Sequence, residues 1–228
     1  MAAPRNPDHV ERDLVGKALA CRRGERLVFA GLDFRLPAGG ALVLTGSNGS
    51  GKSSLLRLMA GLIAPVAGRL DWGSESIAHE PTQYRAALHY LGHLDATKPA
   101  MTPRETLAFS AALRAAAAAP AAVAAALAAF GLTAIADWPC RWLSAGQRRR
   151  LALARLIASP APIWLLDEPT AALDADGEAR LVAAIAEHRG SGGRVAIATH
   201  QPIALDVPAA LVLDDFAAAP EEALTALW

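Results

Sequence analysis

An eight-residue segment rich in glycine constrains the fold of this chain more than any other feature. The segment, Gly46-Ser47-Asn48-Gly49-Ser50-Gly51-Lys52-Ser53, follows an unbroken apolar run, Ala41–Thr45, and precedes Ser54, which opens a helical pattern. Its glycines allow successive backbone N–H groups to turn inward toward phosphate oxygens, and the helix start adds the positive end of its dipole. The segment therefore predicts a phosphate-binding loop (P-loop) between a buried strand and a helix.

The last two residues of this loop predict the ligand. Lys52 is one of only three lysines in the chain, and its compact ammonium suits the inside of such a loop better than a planar guanidinium does. We expect Lys52 to bridge the β- and γ-phosphates and the Ser53 hydroxyl to coordinate Mg²⁺. The predicted ligands are therefore ATP and Mg²⁺.

The apolar runs elsewhere predict an α/β fold. Buried strands are expected at Ile163–Leu166, Val195–Ala198 and Ala210–Leu213, and helices lie between such runs, for example at Ser54–Ala60 and Ala179–His188. Strands that alternate with helices form a parallel sheet. Leu32, Phe34 and Leu36 instead alternate with charged residues, the pattern of a strand with one exposed face. Residues 96–160 show no strand pattern, which predicts a helical subdomain inserted into the core.

Two acids and a histidine are predicted to meet at one edge of this sheet. Asp167 and Glu168 end the strand Ile163–Leu166, and His200 follows the strand Val195–Ala198. The carboxyl ends of parallel strands form the ligand edge of such sheets. We expect Asp167 to hold Mg²⁺ and Glu168 to deprotonate the attacking water, which contributes roughly 10²–10⁴ in rate. His200 is placed to hydrogen-bond the γ-phosphate. The alternative is that these polar residues only solvate strand ends.

Ser144 and Gln147 form a Ser-x-x-Gln pattern just before the helical run Arg148–Ala158. The pattern is a capping box, in which two side chains satisfy free N–H groups at a helix start. Together with its position between the P-loop and the acidic strand, the segment Leu143–Gln147 resembles the signature sequence of the ATP-binding cassette (ABC) family.

The resemblance covers residues from about 18 to 200 and implies the fold and the active assembly. The implied fold is an α/β P-loop NTPase with a RecA-like parallel-sheet core, an N-terminal antiparallel β part and the inserted helical subdomain. In that family two cassettes pack head to tail, so Ser144, Gly146 and Gln147 of one copy would close over the nucleotide of the other. Asp174 lies in the loop Ala172-Leu173-Asp174, which also matches the family. The implied partners are a second copy of the chain and a membrane protein.

The chain departs from the family pattern at three positions. The aromatic residue that usually stacks on adenine is absent near position 23, where Arg23 is expected to stack through its guanidinium plane; the alternative is that the base is loosely held. His93 stands where the family usually has a glutamine facing Mg²⁺; the alternative is a solvent-exposed histidine in a linker. Ala145 replaces a signature glycine.

Together with the segment Thr199-His200-Gln201-Pro202 and the short chain, these departures form a pattern that resembles the ATPase subunits of the haem-export complexes of cytochrome c maturation. That resemblance implies a peripheral subunit at the cytoplasmic face of the bacterial inner membrane. The alternatives are the ATPase of another ABC exporter, a cassette acting on nucleic acid or ribosomes, and a P-loop kinase. The chain has 22 basic and 22 acidic residues, and this balance favours no nucleic-acid partner.

The remaining segments set the expected domain limits. We expect a flexible tail over residues 1–13 and one domain over residues 14–228, with the core at about 14–94 and 161–228 and the helical subdomain at about 95–160. The uncharged stretch Ala115–Leu132 is long enough to span a bilayer, but it is mostly alanine and contains Pro120, which predicts small helices of a soluble domain. Cys21 and Cys140 are expected to be free thiols in a reducing compartment.

Overall fold

The computed structural model describes residues 12–114 and 119–217 of the 228-residue chain. Its first sheet is antiparallel, and its strands follow the order β2-β1-β4-β5. The strands of this sheet are β1 (Leu14–Arg23), β2 (Arg26–Leu36), β4 (Ala67–Trp72) and β5 (Glu75–Ser76). Leu32, Phe34 and Leu36 of β2 are buried while Asp33 and Arg35 are exposed, so the expected alternation is confirmed.

The second sheet is parallel, with the strand order β6-β7-β8-β3-β9. Its strands are β3 (Ala41–Thr45), β6 (Leu88–Leu91), β7 (Ile163–Asp167), β8 (Arg194–Ala198) and β9 (Ala209–Val212). Every residue of β7 and β8 is buried, as expected for strands covered on both faces. The strand predicted at Ala210–Leu213 is present as β9, but Leu213 alone of these four residues is buried, so the prediction of a buried strand is wrong. Among the described residues β9 lies at the edge of the sheet and pairs only with β3, and Ala209, Ala210 and Val212 are exposed.

Six α-helices connect these strands within the described residues. They are α1 (Lys52–Met59), α2 (Pro81–Ala86), α3 (Pro103–Ala112), α4 (Pro120–Ala129), α5 (Ala145–Ala158) and α6 (Ala175–Gly190). α1 ends just before Gly61, as expected. α6 begins four residues earlier than its apolar pattern indicated, because the Asp174 side chain caps the backbone N–H of Gly177.

The helical subdomain lies between β6 and β7, and its apolar side chains share one hydrophobic cluster with one face of the parallel sheet. α3, α4 and α5 pack on one another, and the stripe formed by Val123, Leu127 and Phe130 is buried among them. Pro120 opens α4 rather than interrupting it. Residues 115–118 of the uncharged stretch lie outside the described residues. Within residues 12–114 and 119–217, no helix combines the length and apolar character needed to cross a bilayer.

The parallel sheet separates two layers of core packing. In β7, Ile163 and Leu165 face the layer shared with α1 and the antiparallel sheet, whereas Trp164 and Leu166 face the layer shared with α5 and α6. This two-sided burial fixes the register of β7, because a shift of one residue would exchange its faces. The end of the strand, where the acids lie, is therefore held firmly.

The predicted chain limits are covered only in part. Residues 1–11 of the expected tail and residues 218–228 of the expected domain lie outside the described residues, so both limits remain predictions. Asp13 accepts a hydrogen bond from Arg35 Nε at 2.6 Å. Cys21 and Cys140 are free and buried, and burial raises the pKa of the Cys21 thiol.

Candidate nucleotide site

The P-loop connects β3 to α1, and at two of its positions both the backbone conformation and the space available favour glycine. Gly46 and Gly51 have φ angles of 136° and 108°, which L side chains rarely adopt. A Cβ atom on Gly51 would lie 2.7 Å from Val28 Cγ1, and one on Gly46 would lie 2.9 Å from Ser50 Oγ. Asn48 and Gly49 are exposed at the tip of the loop, while Ser54 is buried in the first turn of α1.

The Lys52 side chain folds back into this loop. Its Nζ atom donates to Gly46 O at 2.7 Å and to Ser47 O at 3.0 Å, and the residue is only 8% exposed. The Ser50 hydroxyl is buried without a hydrogen-bond partner among the described residues. A buried ammonium, a buried hydroxyl without a partner and the N-terminus of α1 together fit the phosphates of a nucleotide.

Ser53 and Asp167 meet between the P-loop and the acidic strand. The Ser53 hydroxyl donates to Asp167 Oδ1 at 3.0 Å, and Asp167 is 4% exposed at the end of β7. Hydroxyl and carboxylate oxygens are ligands that a hard divalent cation prefers. This pair therefore fits the Mg²⁺ that accompanies ATP.

Glu168 and His200 lie next to each other at the same sheet edge. Glu168 has a φ angle of 47°, a left-handed conformation that is strained for a residue with a side chain, and its N–H donates to Ala198 O at 2.8 Å. This backbone bond ties the residue to the end of β8. Its Oε2 atom is 2.8 Å from His200 Nδ1. The structure thus brings together the acid and the histidine that the sequence placed on separate strands.

The signature segment lies on the helical subdomain. Ser144 Oγ accepts from Gln147 N at 3.2 Å and Gln147 Oε1 accepts from Ser144 N at 2.8 Å, so the capping box is confirmed. Ser144 is exposed. A Cβ atom on Gly146 would lie 2.8 Å from Ala172 O, which shows that the start of α5 packs tightly on the loop that precedes Asp174.

Arg23 and His93 are the two predicted site residues with the least support from contacts. Arg23 is exposed at the end of β1, and His93 is exposed in the loop after β6. In the part of the chain that the structure describes, neither side chain hydrogen-bonds the P-loop. Their roles toward the nucleotide remain predictions.

Arg149 is a site residue that sequence reasoning missed. It lies on α5, 3% exposed. Its guanidinium donates to Gly92 O at 3.2 Å, Asp95 Oδ1 at 3.1 Å, Asp167 O at 2.8 Å, Glu168 O at 2.7 Å and Pro169 O at 3.2 Å. The sequence did contain a signal for its burial. Arg149 precedes the buried Leu153 and Leu156 by four and seven residues, a spacing that places all three on one face of the helix.

Asp214 is a second residue that sequence reasoning missed. It accepts from Ser47 N at 2.8 Å and from Ser47 Oγ at 2.7 Å, so a carboxylate holds the first turn of the P-loop. These bonds, and the nearby Lys52 ammonium, lower the pKa of the Asp214 carboxyl below its ordinary value. No local signal points to it, because 167 residues separate the partners and only the β3–β9 pairing brings them together.

The depressed pKa of Asp214 gives a pH-dependent prediction. Above its ordinary pKa of 3.8 the ionised carboxylate stabilises the fold, and this contribution is lost as the pH falls through its lower native value. Asp214→Asn should therefore lower the urea midpoint at pH 7, and its difference from the unchanged chain should shrink below pH 3.8. Asp215→Asn, next to it and also exposed, is the control and should leave the urea midpoint at pH 7 close to that of the unchanged chain. A difference that is constant from pH 7 to 3 would contradict the assignment.

The fold and the site together define a P-loop ATPase cassette with an inserted helical subdomain. The ABC transporter family model matches residues 29–171. The CcmA cytochrome c biogenesis ATP-binding export protein of Rhodospirillum rubrum is 55% identical over 208 residues, 91% of this chain and 88% of the relative. The CcmA protein of Paramagnetospirillum magneticum is 54% identical, and the alignment covers 90% of this chain and 95% of the relative.

A putative ABC transporter ATP-binding protein from Pyrococcus furiosus has the same fold, with a TM-score of 0.80 and 20% identity over 90% of this chain and 100% of that one. This chain belongs to the ABC transporter family and, within it, to the group of CcmA proteins. It is an ATP-binding and ATP-hydrolysing subunit of the transporter type.

Proposed function

We propose that this chain is the ATPase subunit of a haem-export complex of cytochrome c biogenesis, in which hydrolysis releases the haem-loaded chaperone CcmE. The observation that carries the proposal is the 55% identity to a cytochrome c biogenesis export protein over 91% of the chain, joined to an intact P-loop and acidic edge. The ATPase of another ABC exporter is the alternative, because the transported substrate is selected by a membrane subunit.

The cradle for the triphosphate is formed by the P-loop, Gly46–Ser53, and the start of α1. Its backbone N–H groups and the Ser50 hydroxyl hydrogen-bond phosphate oxygens, and Ser54 continues the helix start behind them. On binding, the Lys52 ammonium turns from the carbonyls of Gly46 and Ser47 to the β- and γ-phosphates. The exchange retains two charge-assisted hydrogen bonds while adding the attraction of the phosphate charge.

Ser53 and Asp167 hold the Mg²⁺ that arrives with ATP. The cation supplies charge neutralisation of the β- and γ-phosphate oxygens when bound. The burial of Asp167 and its hydrogen bond to Ser53 keep both oxygens aligned for it. His93, exposed in the loop after β6, would lie toward the same cation.

Glu168 is the general base of hydrolysis. A water oxygen forms the bond to the γ-phosphorus while the bond to the β–γ bridging oxygen breaks, leaving ADP and inorganic phosphate. Glu168 takes the proton released by the water. His200, 2.8 Å from Glu168, orients this carboxylate and hydrogen-bonds the γ-phosphate.

The complete site requires a second copy of the chain. Ser144 is exposed and Gly146 is half-exposed on the helical subdomain, which leaves both accessible to a partner's phosphate. Gln147 and Asp174 line the same interface, and Arg23 supports the base. The closed dimer acts on membrane subunits, which we propose are CcmB and CcmC, from the cytoplasmic face of the bacterial inner membrane. No nucleic acid takes part.

Lys52→Ala tests the function. In a bacterium lacking its own copy of this protein, the variant should fail to restore haem-stained c-type cytochromes, and ATP affinity measured by calorimetry should fall by at least about 10-fold. This loss follows because charged hydrogen bonds contribute about 1.5–3 kcal/mol. Lys17→Ala is the matched control, since Lys17 is a half-exposed partner of Asp71 in the antiparallel sheet. Normal cytochromes with a stable Lys52→Ala protein would overturn the proposal.

Co-purification tests the assignment to this particular exporter. Tagged chain extracted from membranes in mild detergent should carry CcmB and CcmC in amounts comparable to its own, as measured by mass spectrometry. Recovery of a different multi-span protein would favour another ABC exporter. Recovery of ribosomal proteins or RNA in place of membrane proteins would contradict both the haem-export assignment and the assignment to another ABC exporter.

A further inference from the structure

The exposed aromatic side chains of this chain have an uneven distribution. Among residues 12–114 and 119–217, they are Phe109, Trp138 and Trp142, at 46%, 49% and 63% exposure, and all three belong to the helical subdomain. The aromatic rings of the core that carries the P-loop are buried or packed against its hydrophobic cluster. In the described part of the core, an adenine ring bound beside the P-loop therefore finds no exposed aromatic ring.

Trp142 is the exposed ring that lies beside the signature segment. Leu143 is extended, with φ −73° and ψ 141°, and is 3% exposed, whereas Trp142 and Ser144 on either side of it are exposed. A buried residue between two exposed ones places both outer side chains on the same surface. Because consecutive Cα atoms are 3.8 Å apart, the Cα atoms of Trp142 and Ser144 lie about 7 Å from each other.

Arg141 prepares this ring for stacking. Its guanidinium lies over the Trp142 ring, 5.5 Å from the centroid, and its backbone N–H is bonded to Pro99 O. A cation above the ring limits its rotation. The indole is still 63% exposed, so it has surface left for a second planar group.

We propose that Trp142 of one copy stacks on the adenine of the nucleotide held by the P-loop of a second copy. The inference rests on the proposed closed dimer. Ser144 of the first copy reaches the γ-phosphate, and Trp142, about 7 Å away on the same surface, reaches the sugar–base end of the same nucleotide. The base then lies between this ring and Arg23 of the copy that binds it. The Trp142 side chain thereby favours purine nucleotides.

Nucleotide-driven dimerisation measures this contact directly. In chains that carry Glu168→Gln, the ATP concentration for half-maximal dimerisation should rise about 5- to 150-fold on adding Trp142→Leu, the range expected for loss of one base–aromatic stack. Trp142→Phe should keep this ATP concentration close to its original value, because phenylalanine can still stack. Trp138→Leu, an equally bulky change four residues away, should alter it by less than twofold. The preference for ATP over CTP should also narrow in Trp142→Leu, because a purine stacks over a larger area. An equal rise for both nucleotides would indicate damage to the Ser144 cap and overturn the proposal.

Mixed dimers show on which copy the ring acts. Two differently tagged chains are combined, one of them carrying Lys52→Ala so that only one P-loop binds. If the Lys52→Ala chain keeps Trp142 and its partner carries Trp142→Leu, the ring still faces the one bound nucleotide. The ATP concentration for half-maximal dimerisation should then stay low. If both substitutions are on the same chain, the midpoint should rise. The opposite pattern would mean stacking within one copy and would refute the inference. Failure of the Glu168→Gln chain itself to dimerise with ATP would instead refute the closed dimer.

Discussion

Glu168→Gln should lower the ATP turnover of the complex by about 10²–10⁴-fold while leaving ATP affinity within a few-fold of its original value. Glutamine has nearly the same shape as glutamate, so it still occupies the space beside His200. It cannot accept the proton of the attacking water. Bound ATP is then not consumed, and the closed dimer should accumulate, which size-exclusion chromatography with and without ATP will detect.

Glu187→Gln is the matched control for this prediction. Glu187 is an exposed glutamate near the end of α6, just before β8 begins. Because β7 and β8 are parallel, the start of β8 lies at the opposite edge of the sheet from Glu168. Its replacement should leave turnover and dimerisation unchanged. Should Glu168→Gln hydrolyse ATP at the original rate, or remain monomeric at saturating ATP while the unchanged chain dimerises, Glu168 is not the base.

Arg149→Met should lower the free energy of unfolding by about 3–5 kcal/mol, the range expected when one partner of a buried charged network is removed. Methionine fills much of the volume but donates no hydrogen bond, so the buried Asp167 carbonyl loses the bond from Arg149, while the Glu168 carbonyl keeps the N–H of Ala171. Turnover should fall as well, because the same carbonyls fix the residues that carry the site. Urea unfolding and ATPase assays give the two measurements.

The control for this prediction is Arg104→Met. Arg104 also makes two hydrogen bonds to a carboxylate, that of Asp137, but both side chains are at least half exposed. Exposed pairs contribute about 0–1 kcal/mol, so this variant should unfold close to the unchanged chain. Equal destabilisation by the two substitutions would show that burial of Arg149 is not what makes it important.

The parts of the fold that could be predicted are those with a local physical signature. Three features are of this kind: the apolar run Ala41–Thr45, the glycines of the P-loop, and the capping box formed by Ser144 and Gln147. In each of them the residues that determine the local structure lie within a few positions of one another in the sequence. β9 was assigned the wrong environment because Ala210–Leu213 has the composition of a buried strand. Burial there depends on whether a second neighbour pairs with it, which no local pattern contains.

The same limit applies to the site. Asp167, Glu168 and His200 could be predicted because the carboxyl ends of parallel strands lie along the same edge of the sheet. The topology alone therefore places these residues near one another. Asp214 was missed because its contact with Ser47 depends on which strand lies next to β3. Arg149 was missed because the run Arg148–Arg150 is typical of a solvated helix face, although one of its three members is buried.

The buried Arg149 has a mechanical consequence. It joins α5 to the ends of β7 and to the loop after β6, which is also where the chain enters the helical subdomain. Any rotation of that subdomain that preserves these hydrogen bonds must have its pivot at the guanidinium. Residues far from the pivot, such as those of α4, then sweep the longest arc, while the carboxylate edge stays nearly still. Such a rotation would therefore turn the helical subdomain about a point next to Asp167 and Glu168, and the largest displacements would lie far from the site.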